Sequence, residues 1–365
     1  MAIVNLTRLT RSAAPALFAA FAAPAWLAAL AGLVTLSLSW PLTAHAETAI
    51  HFTLDRKIDG PAAPFFLAID KGYFKAEELD VTVAAATDGA HEAINRLATG
   101  SYDMGVGDIN MLIKLRDAAD APIKAVFIVF DKPPYAVIAR KSRGIAVPRD
   151  LEGKKLGAPA ADPTFAQWPI FVKASGIDGA KVEIENVGFP VREPMLAAGE
   201  VDAITGYSFT SYVDLKDRGV PADDLTVLQM ADYGVELYGD AIMASAKFSQ
   251  EKPEALRAFL RAYVRALRAT VRDPARAVDA MLARNDAAKR DVELERLRMA
   301  IGDNIVTPAV KMNGYGDIDA RRFATAIDQI ALAYRFKAKD KAAGAFDSSF
   351  LPPAAERRVG DTASR

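Results

Sequence analysis

The chain has 365 residues, of which 25% are charged and 51% hydrophobic, and its formal net charge is −1. That composition describes a globular protein with room for two or three compact units, not a disordered one. With no cysteine, a disulfide framework, a thiolate metal site, a Cys nucleophile and a lipid-bearing Cys are all excluded, and the balanced charge offers no footprint for nucleic acid.

Arg8 and Arg11 are the only charges before Glu47. An Ala/Leu-rich run at residues 13–36 leads to Pro41 and then to Ala44-His45-Ala46. This order predicts a secretory signal peptide, residues 1–46, cut after Ala46. An uncleaved anchor is the alternative, and the body is exported in either case. Of the histidines beyond it, His51 and His91, neither stands in a metal-ligand spacing.

Residues 49–55 alternate as a strand, and a Gly/Pro-rich loop follows at 56–64. A short helix over 65–74 and a strand over 79–86 come next. Thr87-Asp88-Gly89 then turns into a helix at 91–99. A third strand, 104–107, ends at Asp108, which is placed to cap a helix over 109–118. The fourth strand is 123–130. This βαβαβαβ order predicts a parallel sheet flanked by helices.

The plan then starts again. A strand at 135–140 precedes a strand near Leu156, a loop at 160–164, a helix at 165–175 and a strand at 182–187. Next come a helix at 191–198 and a strand at 203–205. LATGSYDMGVGD (97–108) and LAAGEVDAITGY (196–207) match at Leu97/Leu196, Ala98/Ala197, Gly100/Gly199, Asp103/Asp202 and Gly107/Gly206. The repeat predicts two similar lobes. Later strands are expected at 225–230 and 240–245, the second returning the chain to the first lobe. After Pro253 the pattern is helical, with Leu256, Phe259, Leu260, Tyr263, Val264 and Leu267 on one stripe. Arg257, Arg261, Arg265, Arg268 and Arg272 line the other side, a solvated face or a phosphate- or membrane-binding one. The later helices, 275–284, 292–302 and 319–334, are expected to cover a sheet edge or brace the first lobe. The segment after Ser348 reads as loose.

Ligands of open parallel sheets bind outside the carboxyl ends of the strands. The candidate residues are therefore Asp59, Gly60, Phe65, Thr87, Asp88, Gly89, Asp108, Asn110 and Phe130 in the first lobe. In the second they are Asp162, Thr164, Phe165, Trp168, Arg192, Tyr207, Ser208 and Phe209. The four carboxylates suit N–H groups or cations, and the aromatic residues suit a flat ligand, with Trp168 or Tyr207 as its stacking surface. Arg56, Lys57, Lys132 and Arg192 offer the alternative of an anion. Asp108 and Tyr207, which end the two repeats, are expected to face each other across one cleft. No nucleophile elbow, P-loop or metalloprotease motif is present, so no enzyme activity and no cofactor are expected.

Four stretches carry a resemblance: APFFLAIDKGYFKAEELDVTV (63–83), LATGSYDMGVGD, LEGKKLGAP (151–159) and MLAAGEVDAITGY (195–207). Together they resemble the periplasmic substrate-binding proteins of ABC importers for nitrate, sulfonates, taurine and thiamine pyrimidine precursors. The resemblance implies an α/β, two-lobe periplasmic binding protein fold (type II), with extra C-terminal helices. Lobe 1 would comprise residues 47–138 and 241–340, lobe 2 residues 139–240, and the tail 341–365. It implies a periplasmic monomer that traps a small molecule and delivers it to an inner-membrane ABC permease. A sensor receptor as partner is the alternative. The pyrimidine branch of that family carries an Asp-Trp pair after the first strand, where this chain has Asp55-Arg56. Fungal members that synthesise the pyrimidine use a Cys-rich motif that a chain without cysteine lacks.

Overall fold

In a computed structural model, residues 47–86 and 90–360 are described. The expected signal peptide and Thr87, Asp88 and Gly89 lie outside the described residues. The strands are β1 (Thr48–Thr53), β2 (Leu79–Ala84), β3 (Met104–Asp108), β4 (Ile123–Ile128), β5 (Tyr135–Arg140), β6 (Lys155–Ala158), β7 (Glu183–Asn186), β8 (Ala203–Tyr207), β9 (Leu225–Gln229) and β10 (Asp240–Ser245). Helices α1 (Ala63–Asp70), α2 (Ala90–Ala98) and α3 (Ile109–Ala119) belong to the first half, and α4 (Trp168–Ser175), α5 (Phe189–Ala198) and α6 (Ser208–Asp217) to the second. Then follow α7 (Ala246–Glu251), α8 (Pro253–Arg272), α9 (Pro274–Leu282), α10 (Arg290–Ala300), α11 (Pro308–Asn313), α12 (Ala320–Ala333) and α13 (Lys339–Ala343).

The strands form two five-stranded sheets, β2-β1-β3-β10-β4 and β7-β6-β8-β5-β9. In each, one strand runs against the rest: β10 in the first and β5 in the second. Both are strands that have just crossed from the other sheet. This is the two-lobe α/β fold of periplasmic binding proteins. β5 lies wholly in the second sheet and Asp240 in the first. The crossovers therefore span residues 129–134 and 230–239, whereas the expected division fell inside β5 and after Asp240.

The sequence repeat has a structural counterpart. Gly100 and Gly199 both take left-handed conformations (φ 72° and 76°) just past a helix end, where a Cβ is costly. Asp103 accepts from the His51 N–H at 2.9 Å, and its own N–H donates to the His51 carbonyl at 3.0 Å. Asp202 does the same to Lys155, at 3.0 and 2.9 Å. The shared Asp thus stitches β3 to β1 and β8 to β6, setting each strand's register.

The stripe of α8 is buried as its spacing predicts. Phe259 stacks on Phe52 (5.3 Å) and Phe74 (4.9 Å), and Tyr263 on Phe65 (4.7 Å). Each fully buried side chain of this size contributes about 1.5–3 kcal/mol. The later helices do more than brace lobe 1: α10 packs on α6 and α12 on α4, both in lobe 2. The described part of the segment after Ser348, residues 349–360, is also tied down, against expectation. Just before it, Ala345 and Asp347 bond to the Ala125 backbone of β4, capping a sheet edge. Arg357 is buried and donates to Pro352 O, Tyr315 O and Asp317. A guanidinium satisfied in this way pins the chain, although the local sequence is rich in Pro and charge. No helix among the described residues is long and apolar enough to cross a membrane.

Candidate ligand-binding site

The site grows from two strand ends. Asp108, last in β3, is in register with Asp240, first in β10. Tyr207, last in β8, is in register with Tyr135, first in β5. The two pairs meet. The Tyr135 hydroxyl donates to Asp108, and the Tyr207 hydroxyl donates to Asp240 Oδ1 at 3.0 Å. Asp108 and Tyr207 thus enter one interlobe cluster, each bonded to the other's neighbour. Asp108 also caps α3, accepting from the N–H groups of Asn110 (2.8 Å) and Met111 (2.9 Å). Asn110 donates to Tyr135 Oη and the Tyr238 carbonyl. The Tyr238 carbonyl can only accept, which fixes the amide orientation and leaves Asn110 Oδ1 buried without a partner. Burial holds the Asp108 carboxyl above the usual carboxylate range despite these donors. Burial, then the neighbouring Asp55, pushes Asp240 well above it.

The loop after β1 brings the cation. Arg56 donates bidentately to Asp55 at 2.9 and 3.0 Å and also to Asp240. Its guanidinium lies over the rings of Tyr207 (4.9 Å) and Phe130 (5.8 Å). Burial opposes its charge, but Asp55 and Asp240 outweigh that. Its Nη1 is buried and unpartnered. Around it remains a cavity of about 20 Å³ lined by Asp55, Asp59, Phe65, Phe130 and Asp240, enough for one water. Phe209 closes the far side, packed against Phe130 at 5.6 Å and Tyr207 at 5.9 Å. Ser208 and Phe209, expected in a loop, open α6 instead, and the Ser208 hydroxyl is buried without a partner.

Asp59 ends the same loop. Burial raises its pKa to about 6, against the pull of Arg56 and Arg296, and its Oδ1 is unpartnered. The next residue, Gly60, donates its N–H to Glu293 at 2.6 Å. Glu293 and Asp214 both accept from Arg296, which is 1% exposed. One guanidinium on α10 therefore ties the lobe 1 loop to α6 of lobe 2. A Cβ on Gly60 would lie 2.3 Å from the Glu293 carbonyl oxygen, a backbone atom with little freedom to yield. Gly60→Ala is expected to cost about 1–3 kcal/mol of stability, read from the urea midpoint.

The lobe 2 candidates form a separate network. Asp162 accepts from the Thr164 N–H (2.9 Å) and the Thr205 hydroxyl (2.6 Å), with Arg192 at 3.6 Å. Arg192 is fully engaged by Glu193 (2.9 and 2.6 Å) and Ser211 (3.2 Å). Its neighbour Gly206 leaves the space it needs, since a Cβ there would lie 2.4 Å from Ser211 Oγ. Trp168 packs on Phe171 (5.9 Å) inside lobe 2, and Phe165 joins the same core, so Tyr207 is the aromatic surface of the interlobe cluster. Phe65 lines the cavity and also packs in the core against Phe52, tilted at 4.6 Å. Of the four cations considered for an anion, Arg56 and Arg192 are neutralised by carboxylates, Lys132 pairs with Asp232 on the surface, and Lys57 is exposed.

Sequence reading passed over Asp55, Tyr135, Asp240, Glu293 and Arg296 as site residues. Asp240 had a signal: an acid heading the otherwise apolar run DAIMAS, all of it buried. A carboxylate in such a place needs a partner. Glu293 and Arg296 showed only an ordinary i,i+3 pair, because the partners that draw them into the site, Gly60 and Asp214, lie far away in the chain.

A family model described as NMT1/THI5 like matches residues 61–277. The chain belongs to this family. The formylaminopyrimidine-binding protein of Halalkalibacterium halodurans is 28% identical over 242 residues, 65% of this chain and 72% of the relative. The 4-amino-5-hydroxymethyl-2-methylpyrimidine phosphate synthase of Aspergillus parasiticus is 26% identical over 226 residues, 60% of this chain. This chain spans 65% of the synthase, just under two thirds of its length. Among solved structures, the alkanesulfonate-binding protein SsuA from Xanthomonas axonopodis pv. citri bound to MOPS superposes with a TM-score of 0.62. It is 15% identical and covers 82% of this chain and 98% of its own, a likeness of fold. The chain's relatives thus include both a binding protein and a synthase, and this chain has the fold of the ligand-binding components of ABC importers.

Proposed function

We propose that the chain is an exported, non-enzymatic solute-binding protein. It traps a small planar heterocycle carrying N–H donors or positive charge, such as an aminopyrimidine, and passes it to an ABC permease. One observation carries this reading. The slot between Tyr207 and Phe130 already holds a flat, delocalised cation rich in N–H groups, the guanidinium of Arg56. Asp55 and Asp240 grip its edge, and Asp59 lines the remaining space. A ligand of the same shape and polarity replaces Arg56 in the slot, which is where the pyrimidine branch of the family carries Trp. Closure is by rotation at the two crossovers, which touch where a Cβ on Gly239 would meet Phe130 at 2.9 Å and Pro134 at 3.1 Å. Closed and open forms then differ in affinity, as population shift requires. Arg56, the cation in the slot, is held by Asp55 and Asp240, which disfavours a sulfonate or nitrate ligand.

A thermal-shift series over aminopyrimidines, N-formyl aminopyrimidines, alkanesulfonates and nitrate tests the ligand class. Ligand at a hundredfold excess over Kd stabilises by about 2.7 kcal/mol. The pyrimidines are expected to raise the melting temperature, and a shift with the anions alone overturns the reading. Arg56→Ala sharpens the test: removing the internal occupant is expected to tighten pyrimidine binding, whereas an anion site would lose affinity. Release of any product during incubation excludes a binder without enzyme activity.

A further inference from the structure

A second groove, about 300 Å³ in volume, lies apart from the interlobe cluster, against the C-terminal half of α8. Its walls include Tyr73, Arg265, Arg268, Arg272 and Tyr315. The arginines differ from their neighbours on the same helix. Arg257 pairs with Glu254 and Arg261 with Glu77. Among the described residues, no carboxylate pairs with Arg265, Arg268 or Arg272. The Arg265 guanidinium sits over the Tyr73 ring at 4.6 Å, which holds it at the groove wall.

Cations near a helix C-terminus are favoured by the macrodipole, and that alone accounts for arginines at the end of α8. It does not account for Tyr315. This residue is 2% exposed, lines the groove, and its hydroxyl has no hydrogen-bond partner. A buried hydroxyl left unpaired is costly. Its position is imposed by the backbone: its N–H donates to the Arg357 carbonyl (2.8 Å), and Arg357 donates back to its carbonyl (2.7 Å). Glycines at positive φ flank it on both sides, Gly314 at 88° and Gly316 at 87°. The phenol is a fixed donor at neutral pH, since burial pushes its pKa up to about 12.

The geometry points to this groove as a binding site for a phosphate ester or diphosphate, held by Arg265, Arg268 and Arg272 and by a hydrogen bond from Tyr315. Guanidinium forks match phosphoryl oxygens in pairs, three of them balance a multiply charged anion, and the volume sits at the small end of ligand sites. The same phosphoryl chemistry is offered by a soluble ester and by an anionic lipid headgroup. Neither interlobe carboxylates nor the ligand of the main site take part.

The test is calorimetric titration of the full chain with inorganic phosphate, pyrophosphate and glycerol 3-phosphate, beside co-sedimentation with phosphatidylglycerol or phosphatidylcholine vesicles. Saturable binding of pyrophosphate or glycerol phosphate is expected, weakening with salt. Tyr315→Phe is expected to weaken it about tenfold, and Arg268→Ala with Arg272→Ala by about a hundredfold or more. Arg272 is exposed, so Arg272→Ala alone supplies a variant whose folding is not in question, with circular dichroism as the control. Binding of the soluble esters alone assigns a soluble ligand; added binding of phosphatidylglycerol but not phosphatidylcholine vesicles assigns a lipid headgroup. No saturable binding by any probe, or binding unchanged in the Tyr315 and arginine variants, overturns the proposal.

Discussion

Replacing Arg296 by methionine is expected to lower the unfolding free energy by about 3–5 kcal/mol, the cost of leaving a buried charge without its partner. The Arg296 side chain is 1% exposed and that of Glu293 6%. Without the guanidinium, Glu293 keeps one hydrogen bond, from Gly60, and Asp214 loses its tie to α10. The loss falls on both lobes, because α10 is the element that joins the Asp59–Gly60 loop to α6. Urea denaturation followed by fluorescence measures it as a lower midpoint at unchanged slope. The double variant Arg296→Met with Glu293→Gln separates two causes. Removing both charges restores part of the stability if the penalty is the orphaned carboxylate. If the lost packing of the long Arg side chain dominates, the double variant is no better than the single one.

The second large effect is on pH dependence. Asp59 has a folded-state pKa of about 6 against an ordinary value of 3.8. A raised carboxyl pKa means that the folded state holds the proton more tightly than the unfolded chain. Its stabilising contribution is therefore full below about pH 4 and is lost as pH rises through about 6. The shift corresponds to about 3 kcal/mol. Asp59→Asn removes this titration. Relative to wild type, the variant is expected to gain stability steadily between pH 4 and 6 and to hold a constant advantage above. Asp108 and Asp240 also titrate upward but are common to both proteins, so the difference isolates Asp59. Chemical denaturation at half-unit pH steps reads it, and parallel curves for the two proteins would falsify the assignment. For a cationic or N–H-donating ligand the sign reverses, because such a ligand favours the ionised carboxylate. Affinity is expected to rise with pH up to about 6 in wild type and to stay flat in the variant.

Much of the fold was legible because it is local. Strand β5, the apolar stripe of α8 and the Asp108 cap follow from alternation, helical spacing and side-chain chemistry within a few residues. The repeat was legible too, since Gly at a positive φ and Asp bonded to the adjacent strand are requirements each lobe meets separately. Helix α6 was missed because Tyr207-Ser208-Phe209 lacks a capping side chain: no side chain of Tyr207 caps its N-terminus. Trp168 is a different case. An aromatic at a helix start fits a ligand face and a core face equally, and in the structure Trp168 packs against Phe171.

From the sequence alone came the two lobes, the repeated turn and the strand ends where Asp108 and Tyr207 sit, because backbone conformation and hydrophobic period are short-range properties. Only the tertiary structure decided what those residues do. Asp108 bonds Tyr135 and Tyr207 bonds Asp240, Arg56 lies in the aromatic slot, and Arg296 reaches Glu293 and Asp214 across both lobes. Whether a charge is a free ligand contact or half of a buried pair depends on its distance to the opposite charge. For pairs such as Arg56–Asp240, far apart in the chain, that distance is created only when β1 and β10 join the same sheet.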